Sequence, residues 1–246
     1  MLLPVLLALL GAIVGSFLAT LVVRWPDGRS IVRGRSGCDG CGRALRAWEL
    51  VPLVSWAVAR GRCGACGARI DPAHPGVELA CLLVGLSAGV AAPWPEAGLG
   101  AAFGWLLAAL AALDLRAWWL PDRLTGALAL AGVASAALGP PELLDRLIGG
   151  AAGFGSLWVI AWCYRRLRGR EGMGGGDPKL MGAIGLWLGW RLLPAVLVVA
   201  GMVGLGVVLF RRWRGEAVTA DSALPFGALL AVAAYPAWLL MVSVTP

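Results

Sequence analysis

Four cysteines form two pairs in one stretch of the chain, and their spacing is typical of a metal site. Each pair has the CxxC pattern, and 21 residues separate Cys38 and Cys41 from Cys63 and Cys66. Four thiolates at such spacing are typical of a tetrahedral structural zinc ion, which leaves no open position for catalysis. The alternatives are disulfides, a redox pair and unligated thiols.

Asp114 follows a long apolar run and lies at its C-terminal end. The helix dipole is negative there, so a carboxylate is disfavoured and a basic residue would suit a structural role better. Acids at the edge of membrane segments are costly and are usually functional. The sequence therefore predicts a functional role for Asp114.

Asp177 follows a glycine-rich run, residues 172–176, and precedes Pro178. Asp followed by Pro is an ordinary helix start, so capping is the alternative role for Asp177. A glycine backbone beside an acid also suits the close approach of another chain, such as a peptide. Asp122 follows Pro121 at the start of another helix, where we expect it to act as an N-cap only.

Asp114 and Asp177 would form a two-carboxylate site if packing brought them together. Two nearby carboxylates in a partly dry site cannot both ionise easily, so one holds a proton while the other stays charged. One can then activate a water molecule while the other donates a proton to the carbonyl that the water attacks. This is the chemistry of an aspartic protease.

The elements that must position these residues are apolar helices. The chain is 59% hydrophobic and 14% charged, against about 25% charged in a soluble domain. Its apolar runs are continuous rather than alternating, which predicts an all-α polytopic membrane protein and not a β-barrel. The eight predicted spans are 2–23, 76–92, 99–113, 124–138, 143–164, 180–190, 193–210 and 224–244.

The positive charge is distributed as the positive-inside rule requires. With the N-terminus outside, 19 of the 21 Lys and Arg residues fall in alternate loops, and only Arg146 and Arg191 lie on the other side. The loops 24–72, 114–123, 165–179 and 211–222 are therefore predicted to be cytoplasmic. Disulfides are rare in the reducing cytosol, which favours a metal for the four cysteines.

The chain is predicted to divide into three parts: a first transmembrane helix at 1–23, a cytoplasmic zinc-ribbon-like loop at 24–75 and a membrane domain at 76–246. A loop of that size has little core of its own and needs a metal to hold it folded. The net charge of +7 is accounted for by topology, and no element outside the apolar runs suits a nucleic-acid groove. We therefore expect membrane lipids around the chain and no nucleic acid.

The motifs together resemble the type IV prepilin leader peptidases. Gly174-Gly-Gly-Asp177 followed by Lys179 is similar to the GxGD motif of that family, and Asp114 with Leu120-Pro-Asp resembles its first catalytic block. The other matching blocks, in family order, are GSFL at 15–18 with RWP at 24–26, VPLVSW at 51–56, RGRC at 60–63, PGVE at 75–78 and PFG at 225–227. Ala19 and His74 depart from the family pattern, which often has Asn and Tyr there.

The resemblance implies an inner-membrane enzyme that removes a short basic leader from type IV prepilin or pseudopilin precursors at the cytoplasmic face. Cleavage after a glycine would expose a mature N-terminus that is often phenylalanine. Asp114 and Asp177 would be catalytic, with Gly174, Gly176 and Lys179 supporting them. The cysteine loop would belong to a second activity, methylation of the new N-terminus with S-adenosylmethionine, for which the sequence shows no nucleoside-binding turn.

Two other classes of function fit parts of the sequence. A membrane assembly or binding module would use the cysteine loop to recognise a partner, and its aspartates would only cap helices. A transporter would use paired acids to relay protons, but such acids usually lie near the midplane of the membrane. Here the long apolar runs are interrupted only at their ends.

Overall fold

The protein is described by a computed structural model that covers residues 2–31, 36–217 and 223–244. Within these ranges the chain is helical and forms no β-sheet, which confirms the predicted all-α membrane fold. Its α-helices are α1 Leu2–Arg24, α2 Val54–Val58, α3 Ala73–Ala91, α4 Glu96–Ala117, α5 Asp122–Ala134, α6 Leu143–Arg168, α7 Gly176–Leu188, α8 Leu193–Trp213 and α9 Phe226–Val244.

Six helices in the described ranges are long and apolar enough to cross a membrane, namely α1, α3, α4, α6, α8 and α9. The other two predicted spans are also helical, but α5 and α7 have only 13 residues each. A helix of that length extends about 20 Å, which is less than the roughly 30 Å of hydrocarbon core. That α5 and α7 also cross the membrane stays a prediction.

The chain folds as two compact units, residues 1–112 and 113–246. In the first unit, α1 lies directly against α3 because both helices carry glycines on the facing sides. A methyl group added at Gly11 would collide with the carbonyl of Cys81, and one added at Gly85 would collide with that of Leu7. Such small-residue contacts let backbones approach closely where lipid offers no hydrophobic drive.

In the second unit, α7 is the central helix. It packs on α5, α6 and α9, and most of its residues, including Asp177, are buried. Its contact with α6 again depends on glycine, since Gly149 and Gly185 meet backbone to backbone. A helix enclosed by neighbouring helices does not need the length that a lipid-facing span requires, which accounts for the short α7.

Arg146 is buried inside this unit, with 2% of its surface exposed. The sequence singled it out only as an exception to the charge bias. In the structure its guanidinium donates to neutral oxygens at the ends of α5 and α7 and in the turn between α5 and α6. The acceptors are the carbonyls of Gly132, Gly139, Pro140, Pro141, Leu186 and Trp187 and the Ser135 hydroxyl, at 2.8 to 3.4 Å. Carbonyls in the last turn of a helix and in a tight turn lack helical partners, so the buried cation supplies donors for them, and Gly132 O accepts from the Ser135 hydroxyl as well.

Candidate active site and candidate metal centre

Asp114 and Asp177 are brought together in the second unit. Asp114 lies in the last turn of α4 and Asp177 in the first turn of α7, and each has only 6% of its surface exposed. A Cβ atom added at Gly227 would stand 3.0 Å from Asp114 Oδ2 and 3.2 Å from Asp177 Oδ1. Both carboxylates therefore approach the same point beside Gly227.

The start of α9 contacts Asp114 directly. The backbone N–H of Ala228 donates to Asp114 Oδ2 at 2.8 Å, and a helix N-terminus favours negative charge in front of it. The sequence reasoning noted the PFG block at 225–227 only as part of a resemblance. Proline ahead of an apolar run signals a helix start, but that signal does not identify a partner in a distant helix.

Leu120 packs against both Gly176 and Gly227. A Cβ added at Gly227 would stand 2.7 Å from Leu120 Cδ1, and one added at Gly176 would stand 2.8 Å from Leu120 Cβ. A side chain at Gly176 would therefore collide with Leu120, and one at Gly227 would fit only if the tip of Leu120 turned aside. Gly174 accepts the Asp177 N–H at 3.2 Å, which shapes the turn into α7.

Neither Asp177 nor Asp122 caps a helix. The N-cap of α7 is Gly175, and that of α5 is Pro121, with no side-chain cap at either. The predicted N-cap role of Asp122 is therefore wrong, because Pro121 already adopts the extended N-cap geometry, with φ −67° and ψ 130°. Asp122 instead accepts from Lys179 Nζ at 2.7 Å in an exposed ion pair that joins the starts of α5 and α7.

The four cysteines of the first unit converge on one point. Their sulfur atoms all lie within 4.8 Å of one another, and Cys38 and Cys66 are 3.9 Å apart. Zinc bound tetrahedrally at about 2.3 Å from each sulfur places the sulfurs about 3.8 Å apart. The donor set and its spacing therefore fit a zinc ion.

The two CxxC segments are copies of one local structure. Gly42 N donates to Cys38 O at 2.8 Å, and Gly67 N donates to Cys63 O at 2.9 Å. Both glycines have φ of +70°, a conformation that residues with a side chain rarely adopt. Each glycine thus ends a tight turn that directs both thiols of its pair to the same side.

The surroundings of Cys63 favour its thiolate form. The backbone N–H groups of Cys66 and Ala65 lower the pKa of the Cys63 thiol to about 6, and Arg43 Nη2 lies 4.0 Å from its sulfur. Arg43 is held in place by a bidentate pair with Glu49, at 2.7 and 3.0 Å. Because metals bind the thiolate, this environment suits a metal ligand.

The cysteine loop is attached to both helices of its unit. Arg24, at the end of α1, donates to Gly37 O at 3.2 Å and lies 3.6 Å from a carboxylate oxygen of Asp39. Leu53 N donates at 2.7 Å to Oε2 of Glu78, a carboxylate on α3 with only 6% of its surface exposed. The loop is therefore fixed against α1 and α3 rather than tethered by its ends alone.

The family comparisons agree with this architecture. Residues 9–91 match the bacterial peptidase A24 N-terminal domain, and residues 101–209 match the type IV leader peptidase family. A prepilin leader peptidase/N-methyltransferase of Burkholderia pseudomallei (strain K96243) is 39% identical over 90% of this chain and 80% of its own length. Proteins of the same name from Stutzerimonas stutzeri and Pseudomonas aeruginosa are each 36% identical over 94% of this chain and 88% of theirs.

No solved structure matches the chain significantly. The similarity to these relatives extends over most of both chains, and the two matched family domains include the four cysteines, Asp114 and Asp177. The resemblance inferred from the motifs is confirmed, and the chain belongs to the type IV leader peptidase family.

Proposed function

We propose that this protein is a membrane aspartic endopeptidase that removes the leader from type IV prepilin or pseudopilin precursors and then N-methylates the new N-terminus. The observation that carries the peptidase assignment is that carboxylate oxygens of Asp114 and Asp177 approach the same point beside Gly227. The names of the relatives support both activities.

The two aspartates take different roles in this proposal. The N–H of Ala228 and the start of α9 stabilise negative charge on Asp114, so Asp114 is the general base and Asp177 holds the proton. Asp114 takes a proton from water as the water oxygen attacks the scissile carbonyl carbon, and Asp177 protonates the carbonyl oxygen. The tetrahedral intermediate then collapses as the C–N bond breaks: the leaving nitrogen takes the proton from Asp114, and one hydroxyl of the intermediate returns a proton to Asp177 as the new carbonyl forms.

The attacking water and the scissile carbonyl would meet between the two carboxylates, where the tip of Leu120 would have to turn aside for them. Both carboxylates are buried, so few water molecules can reach them. A dry site strengthens each proton transfer because charges are screened less than in water. Gly174 supports the site through its carbonyl, Gly176 by packing closely on Leu120, and Lys179 by joining α7 to Asp122.

Cys38, Cys41, Cys63 and Cys66 would hold one structural zinc ion in the methyltransferase-associated loop. Four thiolates fill all positions of a tetrahedral ion, so these residues would act by folding the loop and not in hydrolysis. S-adenosylmethionine would supply the methyl group for the free amine that cleavage produces. We assign no residue to its binding.

We propose the bacterial inner membrane as the location, with the N-terminus outside and the active site facing the cytoplasm. Basic residues in the last turns of α6 and α8 support this orientation, as does the position of Arg24 at the end of α1.

The three-part division at 1–23, 24–75 and 76–246 remains our proposal for the domains. The 211–222 loop lies partly outside the described residues, as do Arg33 and Arg35 of the cysteine loop.

Co-expression with a prepilin precursor tests the proposal, with leader loss and the N-terminal mass of the product as readouts. We expect a shortened product that carries one methyl group. An unprocessed precursor beside correctly inserted protein would contradict the peptidase assignment. The binding-module alternative expects that result, but its premise that Asp177 caps a helix has no support in the geometry.

A further inference from the structure

An apolar patch lies on the cysteine loop, outside the membrane-spanning helices. The loop at 24–72 has nine arginines, but its segment 47–59 has a single charged residue, Glu49. A bidentate pair with Arg43 neutralises the Glu49 carboxylate. The large apolar side chains of this segment that are exposed form the loop patch: Trp48, Leu50, Val51, Val54, Trp56 and Val58.

The loop patch is as exposed as the lipid-facing sides of the spans. Val58 is 79% exposed, and Val90, on the membrane-spanning helix α3, is 74% exposed. Clustered apolar surface of this kind marks a site of contact with a protein or a membrane. Trp48 and Trp56 belong to the patch, and tryptophan is enriched where a protein meets the headgroup layer.

The position of Leu53 gives the depth of the patch relative to the membrane. Leu53 N donates to Glu78 Oε2 at 2.7 Å, and Glu78 is five residues after Ala73, the first residue of α3. Five residues of α-helix extend about 7.5 Å. All 19 residues of α3 extend about 28 Å, close to the thickness of the hydrocarbon core. Leu53 is therefore level with the first turns of a span, at the boundary between headgroups and acyl chains.

The backbone holds Leu53 at this level. Its φ is +61°, which a residue with a side chain rarely adopts. Such a conformation persists only where the surrounding structure enforces it, and here the buried Glu78 carboxylate holds the Leu53 N–H. Val51 and Val54 lie on either side of Leu53 in the chain, so the centre of the patch stays beside α3.

Arginines flank the loop patch at both ends of the segment. Arg46 precedes it, Arg60 and Arg62 follow it, and all three are exposed. The Arg46 guanidinium lies over the Trp48 ring, 5.1 Å from its centroid. Basic side chains next to an apolar surface can reach lipid phosphates while their stems stay at the apolar level. A bilayer supplies anionic groups around the whole patch, whereas a protein partner would need acidic groups matched to both ends.

We propose that the loop patch inserts into the boundary between headgroups and acyl chains, and that it anchors the cysteine loop to the membrane surface. The occupant of the patch is lipid, with Arg46, Arg60 and Arg62 at the level of the phosphates. The inference is independent of both proposed activities, because it depends only on the membrane-spanning α3 and on the contact between Leu53 and Glu78.

The test places the full-length protein in nanodiscs without precursor, with a genetically encoded fluorescent amino acid in place of Val58. The lipid carries bromine, which quenches on contact, either near the top of the acyl chains or near their ends. We expect bromine near the top to lower the emission by about twofold or more, because an interfacial segment reaches about 5–10 Å into this boundary. Bromine near the chain ends should lower it less.

A second protein carries the same fluorescent residue in place of Trp48 and should respond in the same way. It keeps the test decisive if the replacement of Val58 disturbs the fold. Ala65 is the matched control position, since it is exposed in the same loop and has no large apolar residue within four positions of it. Emission from position 65 should be insensitive to both brominated lipids and quenched by iodide in the water.

The proposal is overturned if brominated lipid quenches neither patch reporter, or if it quenches the reporter at position 65 to the same extent. It is also overturned if iodide quenches the patch reporters in the nanodisc and stops doing so only when a precursor is added. The patch would then bind a protein and not lipid.

Discussion

Ala228 donates its backbone N–H to Oδ2 of Asp114 at 2.8 Å, although 114 residues separate the two along the chain. Asp114 is at the C-terminal end of its own helix, where the dipole disfavours a carboxylate. The N-terminus of α9 offsets that effect by approaching with its positive end. The late PFG block and the residue after it thus complete the site, because Ala228 supplies the N–H and Gly227, without a side chain, lets both carboxylates come close.

We predict that Asp114→Asn and Asp177→Asn each reduce leader cleavage by about 10²- to 10⁴-fold, because each removes one proton-transfer group. Cleavage is measured by gel shift of a precursor at matched amounts of membrane-inserted enzyme. Asp122→Asn is the control and should stay active, because its exposed ion pair with Lys179 contributes only about 0–1 kcal/mol. Full cleavage by either of the first two variants would refute the dyad.

We predict that Gly227→Ala abolishes cleavage without unfolding the protein. The new methyl group would stand near 3 Å from both carboxylates and closer still to Leu120, in the space that the water and the carbonyl need. The control is Gly206→Ala in α8, where an added methyl group meets nothing within 4 Å; cleavage should persist there. Wild-type cleavage by Gly227→Ala would show that the reacting groups do not occupy this space.

The features that could be predicted from sequence are local ones. An apolar run determines a membrane helix whatever surrounds it, which is why α1, α6 and α8 were found close to their observed bounds. A CxxC pair with its following glycine determines a knuckle within five residues. The prediction for Asp114 also depended on a local conflict, between its charge and the end of its helix.

The features that could not be predicted depend on distant packing. The enclosure of α7 by α5, α6 and α9 could not be predicted from its apolar run, which carries no information about distant neighbours. The side chain of Asp122 is of a type that often caps helices. In the structure the N-cap position of α5 is taken by Pro121, and Asp122 forms an ion pair with Lys179 instead. In the sequence Arg146 is only an exception to the positive-inside charge distribution. Its role could not be predicted, because its hydrogen-bond acceptors belong to three separate segments of the chain.

We predict that Arg146→Met lowers the stability of the protein markedly. Each buried carbonyl that loses its partner costs about 1–3 kcal/mol. Arg146 serves six carbonyls, of which Gly132 keeps a second donor in the Ser135 hydroxyl. The measurement is the thermal unfolding midpoint in detergent. The control is Arg191→Met, whose side chain is 75% exposed and should shift the midpoint little. Equal midpoints for the two variants would show that the buried network does not hold the ends of α5 and α7.

We predict that the purified protein contains about one zinc ion per chain, measured by elemental mass spectrometry. Cys81→Ser should keep the zinc, since Cys81 is fully buried in α3 and is not part of the four-sulfur cluster. A metal-free protein with two disulfides after anaerobic purification would contradict both the metal site and the proposed cytoplasmic position of the loop.

Finally, we predict that the two activities can be separated. The four cysteines belong to the first compact unit and both aspartates to the second. A tetrathiolate ion has no open position to activate water, so hydrolysis should not require the metal. Its loss should unfold the loop, because metal-binding energy there is folding energy.

The double variant Cys63→Ser with Cys66→Ser should therefore lose methylation of the mature pilin and largely keep cleavage. Mass spectrometry of the processed pilin reads the methyl group, and a gel assay reads the leader. Asp177→Asn is the reference for a protein without peptidase activity. If the double variant is inserted in the membrane but loses cleavage as completely as Asp177→Asn, hydrolysis depends on the folded loop and the two-module proposal is wrong.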